Sequence, residues 1–353
     1  MSIAPSPQTQ PEPPVHDVAL DVFRGILCVT SVLIHVFGAM MTLSVRGSGA
    51  WNWLAVANPV LLYAVPGFLV LTCLLTIAKL LKPYSLRDYT AKRVTGILLP
   101  YLLWSLFYIF LVSLKPPPNF DLKEALIKVT YGKSIGHLYY LGVMLQLSVL
   151  LVLIAPLFKR KTSLFILLGV MIALTLGFYG LNRFVLHLPY VGSVILWYIP
   201  ATAIGLWLGR DKALLTERLK SASPYLLAVA GVALYFYLPL SLRVLAKKEV
   251  NTFYFQLAEW TYTTTVAVLL IFVSRLIARG FAGKPLAWIG NYSLQIYLAH
   301  PLFLAFALRV FHPKNAFLFP IAGVFYLAMC LICPLILTKM LEKAKVSHLV
   351  FGR

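Results

Sequence analysis

Long apolar segments recur along the whole chain and constrain its fold more than any other feature. A transmembrane helix needs about 20 mostly apolar residues to cross a hydrocarbon core of about 30 Å. Ten segments meet this requirement, at residues 18–44, 53–81, 94–114, 137–158, 162–181, 193–209, 223–242, 258–278, 286–310 and 316–341. Only helices and closed barrels satisfy backbone polar groups in lipid, and these segments are too long for barrel strands. We therefore expect an all-α polytopic membrane protein with about ten transmembrane helices.

The polar remainder of the chain is too small for a separate soluble domain. Hydrophobic residues make up 60% of the chain and charged residues 12%. We expect one membrane domain at 18–341, preceded by a disordered tail at 1–17 and followed by a second tail at 342–353. The first tail contains no lysine or arginine, so it lacks the basic region of a cleavable signal peptide and the first segment should be retained.

The positive charge of the chain is unequally divided between the two sides of the membrane. The formal net charge is +20. The loops on the side of the N-terminus carry 19 lysines and arginines, and the loops on the opposite side carry 11. The positive-inside rule then predicts that both termini are cytoplasmic and that the protein lies in the cell membrane. No basic patch is interleaved with aromatic residues, so we expect membrane lipid or an anionic cytosolic cofactor as partner, and no nucleic acid.

Two ionisable residues, Arg24 and His35, lie inside the first apolar segment. An arginine at the centre of a membrane helix costs about 2.5–3.5 kcal/mol on insertion scales, so such residues are functional candidates. Their spacing is about three helical turns, which predicts that they share one helix face about 16 Å apart. Alternatively, Arg24 extends to the interface and His35 is a hydrogen-bonded interior residue. We favour a functional role for the pair.

Asp21 lies one helical turn before Arg24. At this spacing the carboxylate can pair with the guanidinium and fix its orientation. The helix dipole also favours an acidic residue at the start of a helix, and the two explanations are compatible.

Two further groups of polar residues flank or enter the apolar segments. A basic cluster precedes the third segment and suits either phosphate recognition or topology anchoring; it consists of Arg87, Lys92 and Arg93. The second group is expected to hold helix junctions, form interface belts or line a cavity. It consists of His137, Tyr139 and Tyr140 at the fourth segment and of Tyr292, Ser293, Gln295 and His300 in the ninth.

Other sequence features predict helix distortions and argue against metal chemistry. The Pro66-Gly67 step should kink the second segment near mid-membrane. A proline after His300 should free a backbone carbonyl one turn back. The four cysteines all lie inside apolar segments, which indicates packing. We find no cluster of histidines and carboxylates with metal-ligand spacing and expect no metal.

Four motifs, in order, resemble those of the integral-membrane acyltransferase-3 family. They are LDVFRG followed by His35, KRVTGILLPYLLW, HLYYL and GNYSLQIYLAH, and they extend over residues 18–300. The nearest subset is the single-domain O-acyltransferases of cell-surface polysaccharides, including those associated with intercellular adhesin. The chain departs from the family pattern at Thr72, where the family has serine, and at Gly96, where the family has a second basic residue.

The resemblance implies transfer of an acyl group, acetyl or similar, from cytosolic acyl-coenzyme A to a hydroxyl of an extracytoplasmic glycan. His35 would act as the general base or carry the acyl group itself, and Arg24 would bind the donor. The basic cluster would hold the nucleotide, and His137 would line the acceptor entrance. A polysaccharide synthase complex is a further candidate partner.

Two other classes of function remain open. An exporter of polysaccharide or lipid-linked glycan would share the many spans, the broken helices and the polar residues at mid-membrane. Against an exporter, we find no inverted repeat, and carboxylates are nearly absent from the apolar segments: Asp21 lies towards one end of its segment and Glu259 towards the other. A scaffold subunit of a polysaccharide synthase is the third class.

Overall fold

A computed structural model describes residues 16–114, 121–160, 163–211 and 215–352, so the N-terminal tail lies almost wholly outside the described residues. Every regular element in these ranges is a helix. The α-helices are α1 (Val18–Leu43), α2 (Gly49–Val60), α3 (Ala64–Leu80), α4 (Leu86–Arg93), α5 (Leu99–Ser113), α6 (Leu122–Thr130), α7 (Tyr139–Ile154), α8 (Leu164–Leu181), α9 (Ile199–Arg210), α10 (Leu215–Leu245), α11 (Thr252–Ile277), α12 (Gly283–Asn291), α13 (Ser293–Val310), α14 (Leu318–Lys343) and α15 (Ser347–Phe351).

Nine helical stretches in the described part of the chain are long and apolar enough to cross a membrane. This confirms the prediction of an all-α, multi-pass membrane protein. The sixth predicted segment, 193–209, is the one that is absent from these nine, and it is less regular than expected. It consists of two short 3₁₀ turns, Val191–Ser193 and Ile195–Tyr198, followed by the 12 residues of α9. A helix of that length extends about 18 Å, which is shorter than the hydrocarbon core.

Helix α9 is packed tightly on α3 through two glycines one turn apart. A side-chain carbon placed on Gly205 would lie 2.7 Å from the Val70 carbonyl oxygen, and one on Gly209 would lie 2.4 Å from that of Leu74. Small residues four positions apart allow membrane helices to approach closely. The segment therefore combines the hydropathy of a membrane span with the small residues of a helix that is packed inside the protein.

The break in the second predicted segment lies earlier than the sequence indicates. Helix α2 ends at Val60 and α3 begins at Ala64, so the chain turns before the Pro66-Gly67 step. Pro66 lies in the first turn of α3, where backbone N–H groups have no partner within the helix and a proline is tolerated. Gly67 instead provides room for α1: a side-chain carbon there would lie 2.5 Å from Leu27 Cδ2.

Helix α1 lies at the centre of the bundle and contacts α2, α3, α11, α12, α13 and α14. Its closest crossing is with α12. A side-chain carbon on Gly25 would lie 1.9 Å from the Leu286 carbonyl oxygen, and one on Gly290 would lie 2.2 Å from that of Asp21. The two backbones therefore touch beside Arg24, which fixes the position of this part of α1.

The ninth predicted segment is divided, and the last residues fold back onto the bundle. Helices α12 and α13 meet around Tyr292, which ends the first of them. After α14 the chain forms the short helix α15, whose Phe351 is fully buried and stacks on Trp104 with ring centres 5.8 Å apart. Trp104 Nε1 also donates to the Val350 carbonyl oxygen at 3.0 Å. These contacts attach the end of the described chain to α5.

Candidate active site

Two cavities lie beside the ionisable residues of α1, one at Arg24 and one at His35. The Arg24 cavity has a volume of about 470 Å³, and the His35 cavity has a volume of about 290 Å³. Residues lining the Arg24 cavity include Phe68, Thr72, Lys92, Arg93, Gly96, Tyr140, Ser293, Tyr297 and Gly352. Residues lining the His35 cavity include Ser31, Pro66, His137, Tyr139, Trp197, Tyr198, Gln256, Glu259, Trp260 and Tyr297.

The predicted pairing of Asp21 with Arg24 is present. Arg24 Nη1 donates to Asp21 Oδ1 at 3.1 Å, and the carboxylate is 6% exposed. The second carboxylate oxygen lies 3.1 Å from His16 Nε2. Because Asp21 is buried and held from both sides, it fixes the guanidinium at the edge of the Arg24 cavity.

The basic cluster divides between two surfaces. Lys92 and Arg93 line the Arg24 cavity, whereas Arg87 faces a shallow groove on α4 and does not line it. Arg93 Nη2 donates to Thr76 Oγ1 at 3.3 Å, and its guanidinium lies 4.9 Å from the centre of the Tyr89 ring. The cavity therefore collects three cationic side chains from α1 and α4.

Gly96, at the position of the family's second basic residue, also lines the Arg24 cavity. It lies in a π-helical turn, Val94–Leu98, between α4 and α5. A side-chain carbon built on Gly96 would have no atom within 4 Å. This surface therefore has room for a second basic side chain that this chain lacks.

Three histidines from distant parts of the sequence meet at the His35 cavity. The ring centres of His35 and His137 are 5.9 Å apart, those of His35 and His300 are 5.1 Å apart, and those of His137 and His300 are 5.0 Å apart. His35 is half-buried, while His137 and His300 are buried at 3% and 0% exposure. The sequence left open whether His137 and His300 belong to the site, and both contact His35.

A proline fixes the orientation of His300. Pro301 has no N–H group, so the Tyr297 carbonyl one turn back lacks its helical donor. His300 Nδ1 lies 2.8 Å from that oxygen and 3.0 Å from the Ile296 carbonyl oxygen. Both partners are acceptors, so Nδ1 carries the proton and Nε2 has a free lone pair. Neither His300 Nε2 nor His137 Nε2 has a hydrogen-bond partner among the described residues.

Tyr297 forms the wall between the two cavities, since it lines both. Its hydroxyl donates to the His137 carbonyl oxygen, and its ring centre lies 5.5 Å from that of Tyr140. The sequence places Tyr297 in the same polar run as its neighbours but does not single it out. Its spacing of three residues from His300, on one face of α13, is the signal that could have done so.

The remaining predicted cavity residues are distributed unequally. His137 and Tyr139 line the His35 cavity, while Tyr140 and Ser293 line the Arg24 cavity. Tyr292, Gln295 and His300 are absent from the described linings of both cavities, although the ring of His300 contacts that of His35. The chain turns at Tyr292, so this residue does not share a face with α13, and its ring lies 5.0 Å from Lys339 Nζ. Gln295 is 3% exposed and lies in the helix packing.

The sequence missed a polar and aromatic group from α11 and from the 3₁₀ turn that precedes α9. Glu259, Gln256, Trp260 and Trp197 all line the His35 cavity. Gln256 and Glu259 are three residues apart on one helix face, and Gln256 Nε2 donates to Glu259 Oε2 at 2.8 Å. Because carboxylates are rare in the apolar segments, the presence of Glu259 in one of them could have indicated that it belongs to the site. Within the described ranges no group of three or more histidine, cysteine, aspartate or glutamate side chains could hold a metal ion.

Comparison with known proteins gives both a family and named relatives. A family model of acyltransferase-3 type, described as an acyltransferase domain, matches residues 17–339. Proteins of Staphylococcus aureus strains MSSA476 and MRSA252 are 25% identical over 330 residues, which cover 87% of this chain and 89% of each relative. Both are named "probable poly-beta-1,6-N-acetyl-D-glucosamine export protein". No solved structure matches the chain.

Proposed function

We propose, from the premise that this chain belongs to the integral-membrane acyltransferase-3 family, that it transfers an acyl group from acyl-coenzyme A to a hydroxyl of a cell-surface glycan. One observation supports this most directly. A cationic cavity beside Arg24 and a histidine-containing cavity beside His35 lie along one helix and share Tyr297 as their wall. An enzyme that transfers a group from a polar cytosolic donor to an external acceptor needs a separate binding cavity for each substrate.

The Arg24 cavity is our candidate donor site. Arg24, Lys92 and Arg93 supply positive charge where the phosphates of coenzyme A would bind, and charge-assisted hydrogen bonds are about twice as strong as neutral ones. The volume lies within the range of about 300–1,000 Å³ that is typical of small-molecule sites. In the plasma membrane, with both termini cytoplasmic, this cavity would face the cytosol, where acyl-coenzyme A is made. Arg87 has no part in this proposal because it lies on another surface.

The His35 cavity is our candidate reaction and acceptor site. The His35 imidazole takes the proton of an acceptor hydroxyl as the hydroxyl oxygen attacks the thioester carbonyl carbon. The tetrahedral intermediate collapses by breaking the carbon–sulfur bond, and the imidazolium returns the proton to the leaving thiolate. The products are an ester and free coenzyme A. In the alternative route the imidazole nitrogen attacks the thioester carbon first and expels the coenzyme A thiolate, which takes the imidazole proton. The acyl-imidazole then passes the acyl group to the hydroxyl oxygen, and the hydroxyl proton returns to the imidazole.

The relatives' names suggest the acceptor class. They refer to poly-β-1,6-N-acetylglucosamine, so an oligomer of this polysaccharide is the acceptor to test first. Membranes containing the protein should transfer labelled acetyl from acetyl-coenzyme A to the oligomer as a base-labile ester. His35→Ala should abolish this transfer while the protein level stays near normal, whereas His312→Ala, in an exposed loop, should behave as wild type. Full transfer by His35→Ala would contradict the assignment.

Donor binding can be tested separately with two arginines of one helix. Arg93→Ala should raise the acetyl-coenzyme A concentration for half-maximal transfer by about 10- to 100-fold, because a hydrogen bond to a charged group contributes about 1.5–3 kcal/mol. Arg87→Ala, on the same helix but outside the cavity, should change it by less than about twofold. Equal effects of the two substitutions would indicate topology anchoring in place of donor binding.

Export of a glycan is the second candidate, and the names of the relatives favour it. The breaks between α2 and α3 and between α12 and α13 also resemble the discontinuous helices of transporters. Against it, Tyr297 separates the two cavities in this structure. An assay in proteoliposomes distinguishes acyl transfer from export. An acyltransferase esterifies an external oligomer when acetyl-coenzyme A is inside the vesicles. An exporter moves an enclosed oligomer outwards without any acyl donor.

A further inference from the structure

We infer that the His35 cavity binds a single sugar ring of the acceptor through the polar side chains of Glu259 and Gln256 and the aromatic side chains of Trp197 and Trp260. The inference rests on the proposed function and names the site through which the acceptor would be recognised. Glu259 would be a specificity-determining residue that orients the ring so that one hydroxyl faces His35. It would not take part in bond making.

The carboxylate of Glu259 has unused hydrogen-bonding capacity. Glu259 lies seven residues into α11, about 10 Å from the start of that helix, and His35 lies at a comparable distance from the end of α1. None of the described residues forms an ion pair with Glu259. A carboxylate offers about four acceptor positions, and Gln256 Nε2 fills one of them. A carboxylate at this depth without a cation is expected where it lines a polar cavity and meets a ligand.

The aromatic residues provide the second part of the argument. Trp197 and Trp260 have ring centres 5.0 Å apart, and both line the cavity. Trp260 is 8% exposed, and its Nε1 has no acceptor among the described residues, although a buried indole N–H is usually paired. A pyranose ring carries apolar C–H groups on its faces and hydroxyls around its edge. It therefore matches a cavity whose lining combines aromatic surface with an amide–carboxylate pair.

The volume and the charge of the His35 cavity further restrict the ligands that it can bind. A volume of about 290 Å³ is at the lower limit of small-molecule sites, so one ring fits and several do not. This restricts entry to the end of a glycan chain. Among the residues that the structure describes, no lysine or arginine lines the cavity, so this lining offers no counter-charge for the phosphates of a nucleotide. The groups that Glu259 would accept from are hydrogen-bond donors of the sugar, either hydroxyls or the ammonium of an amino sugar.

Binding can be measured without any acyl donor, which separates this inference from the proposed function. Purified protein in detergent is titrated with a β-1,6-linked N-acetylglucosamine oligomer while tryptophan fluorescence is recorded. We expect saturable binding to wild type and to Glu249→Gln, whose side chain is exposed away from the cavity. Glu259→Ala should weaken binding at least tenfold, and Trp260→Phe should weaken it less. Thermal melting of each variant controls for folding.

The same titration with a de-N-acetylated oligomer distinguishes the two kinds of donor. If an ammonium faces the carboxylate, Glu259→Gln weakens binding of the cationic oligomer at least tenfold more than binding of the neutral one. If only hydroxyls face it, the two oligomers lose affinity equally. The inference is wrong if wild type binds neither oligomer, or if folded Glu259→Ala and Trp260→Phe both bind as wild type. Where transfer is measurable, Glu259→Ala should raise the KM for the oligomer and leave the KM for acetyl-coenzyme A unchanged.

Discussion

The close crossing of α1 and α12 predicts that a side chain at position 25 forces the two helices apart. In Gly25→Ala the new methyl carbon would lie 1.9 Å from the Leu286 carbonyl oxygen, which is a backbone atom and cannot rotate away. Carbon and carbonyl oxygen approach to about 3.3 Å in ordinary close contacts, so the two helices must separate by about 1.4 Å. The same crossing contains Gly290, whose own methyl would meet the Asp21 carbonyl oxygen. Neither side of the crossing can therefore absorb the displacement.

Two measurable consequences follow from this separation. Overpacking of this kind costs about 1–3 kcal/mol and occasionally more. We expect the upper end of that range, and a melting temperature lower by about 4 °C. Arg24 is the neighbour of Gly25 and moves with α1, and a displacement of about 1 Å near reacting groups can reduce turnover about 100-fold. Acyl transfer per folded molecule should therefore fall by about this factor.

Gly38→Ala is the matched control on the same helix. The nearest atom to its new methyl carbon is Asn58 Nδ2 at 3.9 Å, an ordinary contact. Alanine favours helix over glycine by about 0.5–1 kcal/mol, so Gly38→Ala should melt at or slightly above the wild-type temperature. Thermal melting of the detergent-solubilised protein and transfer per mole of folded protein check both variants. A Gly25→Ala protein that melts like Gly38→Ala would refute the close approach of α1 and α12.

Two further predictions concern the helix around His300 and the orientation of the chain. His300→Ala should cost about 1–3 kcal/mol because the Tyr297 carbonyl loses its donor. In a Pro301→Ala background, the His300→Ala substitution should destabilise the protein less, because the restored backbone N–H at position 301 donates to the Tyr297 carbonyl. A double-mutant cycle of melting free energies tests this, and additive costs would contradict the hydrogen bond. In a cysteine-free background, Lys123→Cys should react with an impermeant thiol reagent added to cells and Ser163→Cys should not; the reverse pattern would invert the topology.

Local sequence patterns predicted those parts of the structure that depend on one helix alone. The pairing of Asp21 with Arg24 follows from a spacing of three residues. The start of α6 has the same kind of local cause, since Asp121 caps that helix by accepting from Lys123 N at 2.8 Å. The break before α3 was placed a few residues late, because proline is a signal for either a kink or a helix start, and only packing with neighbouring helices decides between them.

Sequence patterns did not predict which residues of different helices become neighbours in the folded protein. Glu259 is separated from His35 by more than 200 residues, and no periodicity connects α11 with α1. In the sequence, Glu259 stands out only as a rare carboxylate towards one end of an apolar segment. Similarly, the hydropathy of segment 193–209 is that of a membrane span, whereas its glycines pack against α3 in a way that hydropathy averages cannot detect.

The polar run of α13 shows how one backbone irregularity can organise a site. Pro301 removes a helical donor, and the freed Tyr297 carbonyl is occupied by His300 Nδ1. That bond fixes which ring nitrogen of His300 carries its lone pair, and it links His300 to the residue that separates the two cavities. Movement of this turn would therefore change the wall between the cavities and the contact of His300 with His35 together. An acyl group that passes from the Arg24 cavity to His35 would have to cross at Tyr297, so this turn of α13 is the place where binding of the two substrates would be coupled.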